Sequence, residues 1–236
     1  MNNNIQKPNN LCIIPARGGS KRIPRKNIRD FLGKPIIAYS IEAAIESGLF
    51  QEVMVSTDDL EIAEVAKKYG AKVPFMRSAK NSDDYAGLGD VVIEILRQYE
   101  TKNVHFESIC CILPTSPLIS YKKIIEAYKL YTENKYDTVF PVVAFSYPIL
   151  RALKIENKQV SMIWPENLKK RSQDLITAYH DSGQFYWLKT DKFIETQEFW
   201  PKNSGAIILD ELHVQDIDND TDWKIAEIKF RMINGK

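Results

Sequence analysis

Short apolar runs alternate with longer amphipathic stretches from Leu11 to Val143, and that alternation restricts the fold more than any other feature of the chain. Leu11 to Ile14, Val53 to Ser56, Lys72 to Met76, Ser108 to Leu113 and Asp137 to Val143 read as strands, several of them apolar on both sides as buried parallel strands are. Pro35 to Ser47, the segment from Asp58-Asp59 to Gly70, Leu88 to Tyr99 and Tyr121 to Tyr131 carry apolar residues at helical spacing. Strands separated by helices require right-handed crossovers. The expected fold is therefore α/β: a doubly wound, mostly parallel sheet with helices on both faces. Ligands in such sheets bind at the carboxyl ends of the strands.

The pattern changes after Tyr147. Arg151 to Ile155 and Val160 to Trp164 are short and alternating, separated by the turn-like Glu156-Asn157-Lys158, and read as a hairpin outside the main sheet. Gly183 to Leu188 and Ala206 to Leu209 return as strands, and Thr221 to Ile233 as a closing helix. We expect one domain over residues 1–236, with residues 148–180 as an inserted hairpin region.

Composition narrows the partners. The 236 residues are 44% hydrophobic and 27% charged, with a net charge of +1, so no global field favours nucleic acid or a membrane surface. Cys12, Cys110 and Cys111 each lie in an apolar run without ligand-spaced neighbours, as reduced structural thiols do. Met1 to Asn10 is polar and no apolar run reaches membrane-spanning length, so the expected location is cytoplasmic.

The first strand runs into Pro15-Ala16-Arg17-Gly18-Gly19-Ser20-Lys21-Arg22-Ile23-Pro24-Arg25-Lys26-Asn27. Glycines let backbone amides approach a ligand, and Arg and Lys neutralise phosphate as a fork and a point charge respectively. A loop with two glycines and five cations at a strand end suits a polyphosphate. It is not a Walker loop, because Ser20 precedes Lys21, and it lacks the three glycines of the dinucleotide fingerprint.

These residues resemble the signature of the acylneuraminate cytidylyltransferases, which activate acidic nine-carbon sugars with CTP. Ser56-Thr57-Asp58, Leu113-Pro114-Thr115-Ser116-Pro117-Leu118 and Asp216-Ile217-Asp218 follow in the family's order and spacing. The resemblance implies a nucleotidyltransferase in which Arg17 and Lys21 are catalytic. Ala16, Gly18, Ser20, Lys26, Asn27, Arg77 and Asp83 would join them around the nucleotide, with Arg77 reading the base. Gly87-Leu88-Gly89 stands where the family commonly offers a serine to cytosine. Arg22 and Arg25 read as a solvated face.

Asp216 and Asp218 face the same way on an extended segment, which suits Mg²⁺, the cofactor the family holds at the matching aspartates. Asp220, Thr221 or Asp222 reads as a helix cap. On the acceptor side, Tyr179-His180-Asp181-Ser182-Gly183-Gln184-Phe185-Tyr186-Trp187 departs from the Arg-Pro-Asn-Gly-Ala of the sialic acid branch and looks like the pseudaminic acid branch. Thr115, Ser116, Arg151, His180, Gln184 and Tyr186 are the expected acceptor residues, with Arg151 and His180 on the sugar carboxylate. His180 can also be structural, and Pro114 to Pro117 can serve shape alone. In the family the inserted hairpin builds a homodimer. The alternatives are a cytidylyltransferase for N-acetylneuraminic or legionaminic acid, or a catalytically silent nucleotide-binding regulator.

Overall fold

The computed structural model describes residues 8–83 and 85–235. Met1 to Lys7 of the polar leading segment and Asp84 of the acidic run lie outside the described residues. The chain begins with β1 (Asn10–Pro15), followed by a small hairpin of β2 (Asp30–Phe31) and β3 (Lys34–Pro35), then α1 (Ile36–Ser47). Gly48, at φ 68°, closes α1 in the left-handed conformation that glycine tolerates. Next come β4 (Glu52–Ser56), α2 (Leu60–Lys68), α3 (Leu88–Glu100), β5 (Ser108–Ile112), α4 (Tyr121–Asn134) and β6 (Thr138–Ala144). The chain then forms β7 (Leu153–Glu156), β8 (Gln159–Met162), β9 (Tyr179–Asp181), β10 (Phe185–Lys189), α5 (Thr190–Thr196), β11 (Ser204–Leu209) and α6 (Asp220–Ile233).

The main sheet has the order β11-β6-β10-β5-β1-β4, with β9 also paired to β6. β1 is parallel to β4 and β5, and β11 to β6, whereas β10 and β9 run antiparallel to their neighbours. This is the expected α/β sheet. Alternate residues of its strands fill two apolar layers. Cys12, Ile14, Cys110 and Ile112 pack with Ile37 and Ile41 of α1, and Leu11, Ile13, Ile109 and Cys111 pack with Val92 and Ile95 of α3. All three cysteines are free and buried, and burial pushes the Cys111 thiol up to about 12. A third cluster of Ile23, Phe31, Ile36, Ile217, Trp223 and Ala226 joins the basic loop to α6.

Two expectations are corrected here. Lys72 to Met76 is not a strand: Lys72 alone makes a bridge, to Met54. Pro74 has no N–H to continue a ladder, and the chain turns away until the Arg77 N–H reaches the Thr57 carbonyl at 2.8 Å. The cap of α6 is Asn219, whose side chain accepts from the Thr221 and Asp222 amides at 2.8 and 3.1 Å. Asp222 completes that capping box by accepting from the Asn219 and Asp218 amides. The hairpin of β7 and β8 forms outside the sheet as expected.

Candidate active site

The basic loop leaves the carboxyl end of β1, anchored where the Ala16 amide donates to the Ser56 carbonyl at 2.8 Å. Its first glycine lies against the start of α2. The Gly18 amide donates to Asp58 Oδ1 at 2.9 Å, and a Cβ on Gly18 would stand 2.8 Å from Asp59 Oδ2. Asp59 caps α2 by accepting from the Ile62 amide at 3.0 Å, and it also accepts both Arg25 Nη atoms, at 2.5 and 3.0 Å. The Arg25 guanidinium holds the Asp59 carboxyl down at about 2. Arg25 adds a bond to Glu61 at 2.5 Å and sits at φ 55°. It is thus a tether from the loop to α2, not the solvated face expected. Arg22 is exposed, and it bridges to Asp218 at 2.8 Å.

The far limb of the loop is held from inside. Asn27 is buried and donates to the Arg17 carbonyl at 2.9 Å. Lys26 Nζ donates to the Ile217 carbonyl at 2.7 Å, which ties the loop to the aspartate segment. Burial pushes the Lys26 ammonium down, Asp218 and Asp216 oppose that, and Arg22 and Arg17 add to it. Lys26 therefore sits among both aspartates and the loop cations.

A cleft of about 540 Å³ opens over this loop, lined by Arg17, Ser20, Lys21, Lys26, Asn27, Arg77, Asp83 and Thr115. Arg17 Nη1 donates to the Asp83 carbonyl at 2.7 Å. Arg77 is buried and grips the end of β4, with Nε on Ser56 Oγ at 3.0 Å and Nη2 on the Ser56 carbonyl at 2.5 Å. Asp83 accepts the Tyr85 and Ala86 amides, which shapes the turn. Ala16 and Gly18 belong to the loop's backbone rather than to the cleft lining.

A second cleft, of about 610 Å³, shares Leu113 with the first and is lined by His180, Asp181, Tyr186, Glu211, Asp216 and Lys229 among others. Tyr186 donates its hydroxyl to Asp181, and burial with that bond pushes the phenol well above its ordinary value. Asp216 is close enough to add to that shift. His180 has Nδ1 at 2.9 Å from the Asp181 carbonyl and packs its ring on Phe145 at 4.8 Å. Asp216 and Asp218 flank Ile217, which is fully buried, so both carboxylates lie outside the core beside Lys26. Among the described residues no group of three or more His, Cys, Asp and Glu side chains is placed to hold a metal. Asp216 lines the second cleft and Asp218 pairs with Arg22, and two hard carboxylates nevertheless suit Mg²⁺, which fills its other positions with water and phosphate oxygens.

Four expected acceptor residues lie outside the second cleft, Thr115 in the first cleft and three others elsewhere. Gln184 is buried, with Nε2 on the His213 carbonyl at 2.5 Å, and it stands just before β10, whose Phe185 and Tyr186 join the two apolar layers. Ser116 is buried beneath the turn, its Oγ 3.5 Å from the Gly183 carbonyl. Arg151 sits in the short helical turn Ile149–Arg151, near Ser172 Oγ at 3.4 Å, and lines neither cleft. From sequence, Asp58 and Asp59 read as a motif loop and a helix cap, not as a buttress for the basic loop, and the ammonium of Lys229 does not stand out. The helix-cap pattern at Asp59 was legible, but its second contact, with the basic loop, is long-range. Lys229 stands on an ordinary polar helix face.

The family model for cytidylyltransferases matches residues 11–216, which takes in the basic loop and the strands of the sheet from Leu11 of β1 to β11, and stops before α6 and Lys229. The chain belongs to the cytidylyltransferase family. The pseudaminic acid cytidylyltransferase of Campylobacter jejuni is 46% identical, over 94% of this chain and 97% of that protein. The N-acylneuraminate cytidylyltransferase A of Danio rerio is 38% identical, over 92% of this chain and 49% of that protein. A solved structure of CMP:2-keto-3-deoxy-manno-octonic acid synthetase complexed with CTP has a TM-score of 0.67 at 16% identity. It covers 96% of this chain and 99% of its own, so this cytidylyltransferase has that fold. Among its described residues no helix is long and apolar enough to cross a membrane.

Proposed function

We propose that this cytidylyltransferase transfers CMP from CTP to pseudaminic acid, giving CMP-pseudaminic acid and pyrophosphate. The observation that carries the reading is the 46% identity, over nearly full length on both sides, to a protein named for that activity. The geometry supports it. A cationic cleft and an acceptor cleft with a Tyr186–Asp181 pair adjoin at Leu113, so a nucleotide in one lies beside a sugar in the other.

In this reading the anomeric hydroxyl oxygen of the sugar bonds to the α-phosphorus as the bond to pyrophosphate breaks, and the hydroxyl proton is released to water. Negative charge gathers on the phosphoryl oxygens and the leaving group, and preorganised cations lower that barrier. Arg17 and Lys21 are the catalytic cations, with Ser20 and Lys26 around the triphosphate, while Ala16 and Gly18 donate their amides to Ser56 and Asp58 and anchor the loop. Asn27 and the Arg25–Asp59 tether fix the loop in place. Arg77 and Asp83 form the wall for the cytosine and ribose. His180 and Tyr186 face the sugar, and Thr115 stands in the nucleotide cleft beside the shared Leu113. Asp216 and Asp218 would hold Mg²⁺, which when bound screens the phosphates and orients them.

The hairpin supports a homodimer. Leu153, Ile155, Val160 and Ile163 are each 46% exposed or more, an apolar patch that the sheet does not cover. Two-fold pairing through residues 148–180 would bury it and bring Arg151, outside this chain's own clefts, toward a partner. Pyrophosphate release from CTP with a panel of nonulosonic acids tests the reading. Pseudaminic acid should give the highest kcat/KM, by about 10-fold or more over N-acetylneuraminic acid. Equal or better use of N-acetylneuraminic acid would overturn the sugar assignment, and no pyrophosphate with any acid would support the silent regulator.

A further inference from the structure

We propose that Lys229 receives the carboxylate of the acceptor sugar, a step that rests on the acidic-sugar reading above. Among the described residues lining the second cleft, Lys229 is the single lysine or arginine, standing with Asp181, Glu211 and Asp216 around it. A carboxylate entering this cleft meets acids on several sides and one ammonium. His180 has Nδ1 engaged with a backbone carbonyl and its ring against Phe145, so it is the poorer anchor. Arg151 and Gln184 do not line the cleft.

The ammonium is already positioned. Lys229 reaches from α6 and donates to the Val214 carbonyl at 2.7 Å and the Glu211 carbonyl at 3.0 Å. An ammonium has three donors, so one N–H remains for a ligand. Among the described residues no carboxylate lies within ion-pair distance of its Nζ, although the residue is half-buried. A half-buried cation with neutral partners gains more from an incoming anion than an exposed, flexible lysine does, since its ordering cost is already met. The same two carbonyls begin the segment that carries Asp216, so the lysine fixes the distance between the sugar carboxylate and the aspartate pair.

The test compares Lys229→Met and Lys229→Arg with wild type, using the free sugar acid and its carboxyl methyl ester. The acid is pseudaminic acid, or whichever nonulosonic acid the wild type uses best, because all of them carry the carboxylate. A charge-assisted hydrogen bond of this kind corresponds to roughly 10- to 100-fold in affinity. Lys229→Met should raise the KM for the acid by that factor, leave the KM for CTP within about two-fold, and bring the acid-to-ester preference near one. Lys229→Arg should keep most of the preference. An unchanged acid-to-ester preference in Lys229→Met overturns the proposal. So does an equal loss with acid and ester accompanied by a higher KM for CTP, which is what a strut for residues 211–214 would give. If the Met variant does not fold, Lys229→Gln, which retains two N–H donors without the charge, takes its place. Wild type that turns over no acid would overturn both this proposal and the sugar reading. Turnover with an unmoved preference would overturn this proposal alone.

Discussion

The two adjacent glycines of the basic loop should behave very differently when each receives a methyl group. A Cβ on Gly18 would lie 2.8 Å from Asp59 Oδ2 and 3.0 Å from Asp59 Cβ, while one on Gly19 would meet nothing within 4 Å. The clash at Gly18 would be cheap if Asp59 could swing aside. It cannot do so freely, because Arg25 forks onto both of its oxygens and the Ile62 amide donates to one of them. The loop must move instead, by about half an ångström, at an overpacking cost of roughly 1–3 kcal/mol. For a chain of this size that corresponds to a fall in Tm of about 2 to 12 °C. Misplacing a catalytic group by about 1 Å can cost on the order of 100-fold, so a shift half as large should lower kcat/KM by about 10-fold. Thermal melts and pyrophosphate-release kinetics on Gly18→Ala and Gly19→Ala read both effects. Gly19→Ala should match wild type. Adding Asp59→Ser to Gly18→Ala should relieve part of the loss, with a coupling of at least about 0.5 kcal/mol. A Gly18→Ala variant with wild-type melting and turnover, or a Gly19→Ala variant equally impaired, would refute the claim that Asp59 sets the loop's position.

Arg17→Ala should keep the fold, by circular dichroism and Tm, yet lose roughly 100- to 1000-fold in kcat; a variant with more than about a tenth of wild-type turnover removes Arg17 from the transition state. Asp216→Asn and Asp218→Asn should each shift the Mg²⁺ titration of nucleotide binding, followed by calorimetry as well as by turnover, and unchanged titrations in both would free these residues from a metal role. Light scattering should report a dimer at micromolar concentration, and Ile155→Asp, on the exposed hairpin, should yield a monomer. Asp59 is held at about 2 against roughly 3.9 in an unfolded chain, so its contribution to stability is full above about pH 4 and fades as pH falls through about 2. The stability difference between wild type and Asp59→Asn, on the order of 1 kcal/mol at pH 7 for a partly exposed pair, should therefore shrink in urea melts near pH 2.5.

Legibility followed the range of the interactions. Strand and helix periodicity is local, so β1, α1, β4, α2, α3, β5, α4 and β6 were each legible within a few residues. Lys72 to Met76 misled because apolar content alone does not make a ladder, and Pro74 has no donor to give one. The cations of the basic loop were visible as a set, but their division of labour was not. Arg25 is a tether and Lys26 a link to Ile217, and both roles depend on partners 34 and 191 positions away in the chain. Gln184 misled for a related reason. Its side chain is buried against the His213 carbonyl, 29 positions away in the chain, a partner that no local pattern shows.

The antiparallel strand explains how two clefts come to share one edge of the sheet. In an all-parallel sheet only the carboxyl ends of strands reach the ligand edge. Here β10 lies between β5 and β6 and runs against both, so its beginning, not its end, reaches that edge. β9 enters the same way, pairing Tyr179, His180 and Asp181 with the last residues of β6. Between them Ser182 donates its amide to the Pro141 carbonyl, and the Leu113 amide donates to the Gln184 carbonyl at 2.8 Å. That second bond clamps the His180 to Tyr186 segment against the turn after β5, whose Leu113 also borders the nucleotide cleft. Reversing one strand thus delivers acceptor-side residues to an edge already occupied by the loops after β1 and β4. The acceptor residues could therefore diverge along β9 and β10 without disturbing the phosphate loop, which is anchored through β1, β4 and α2 instead.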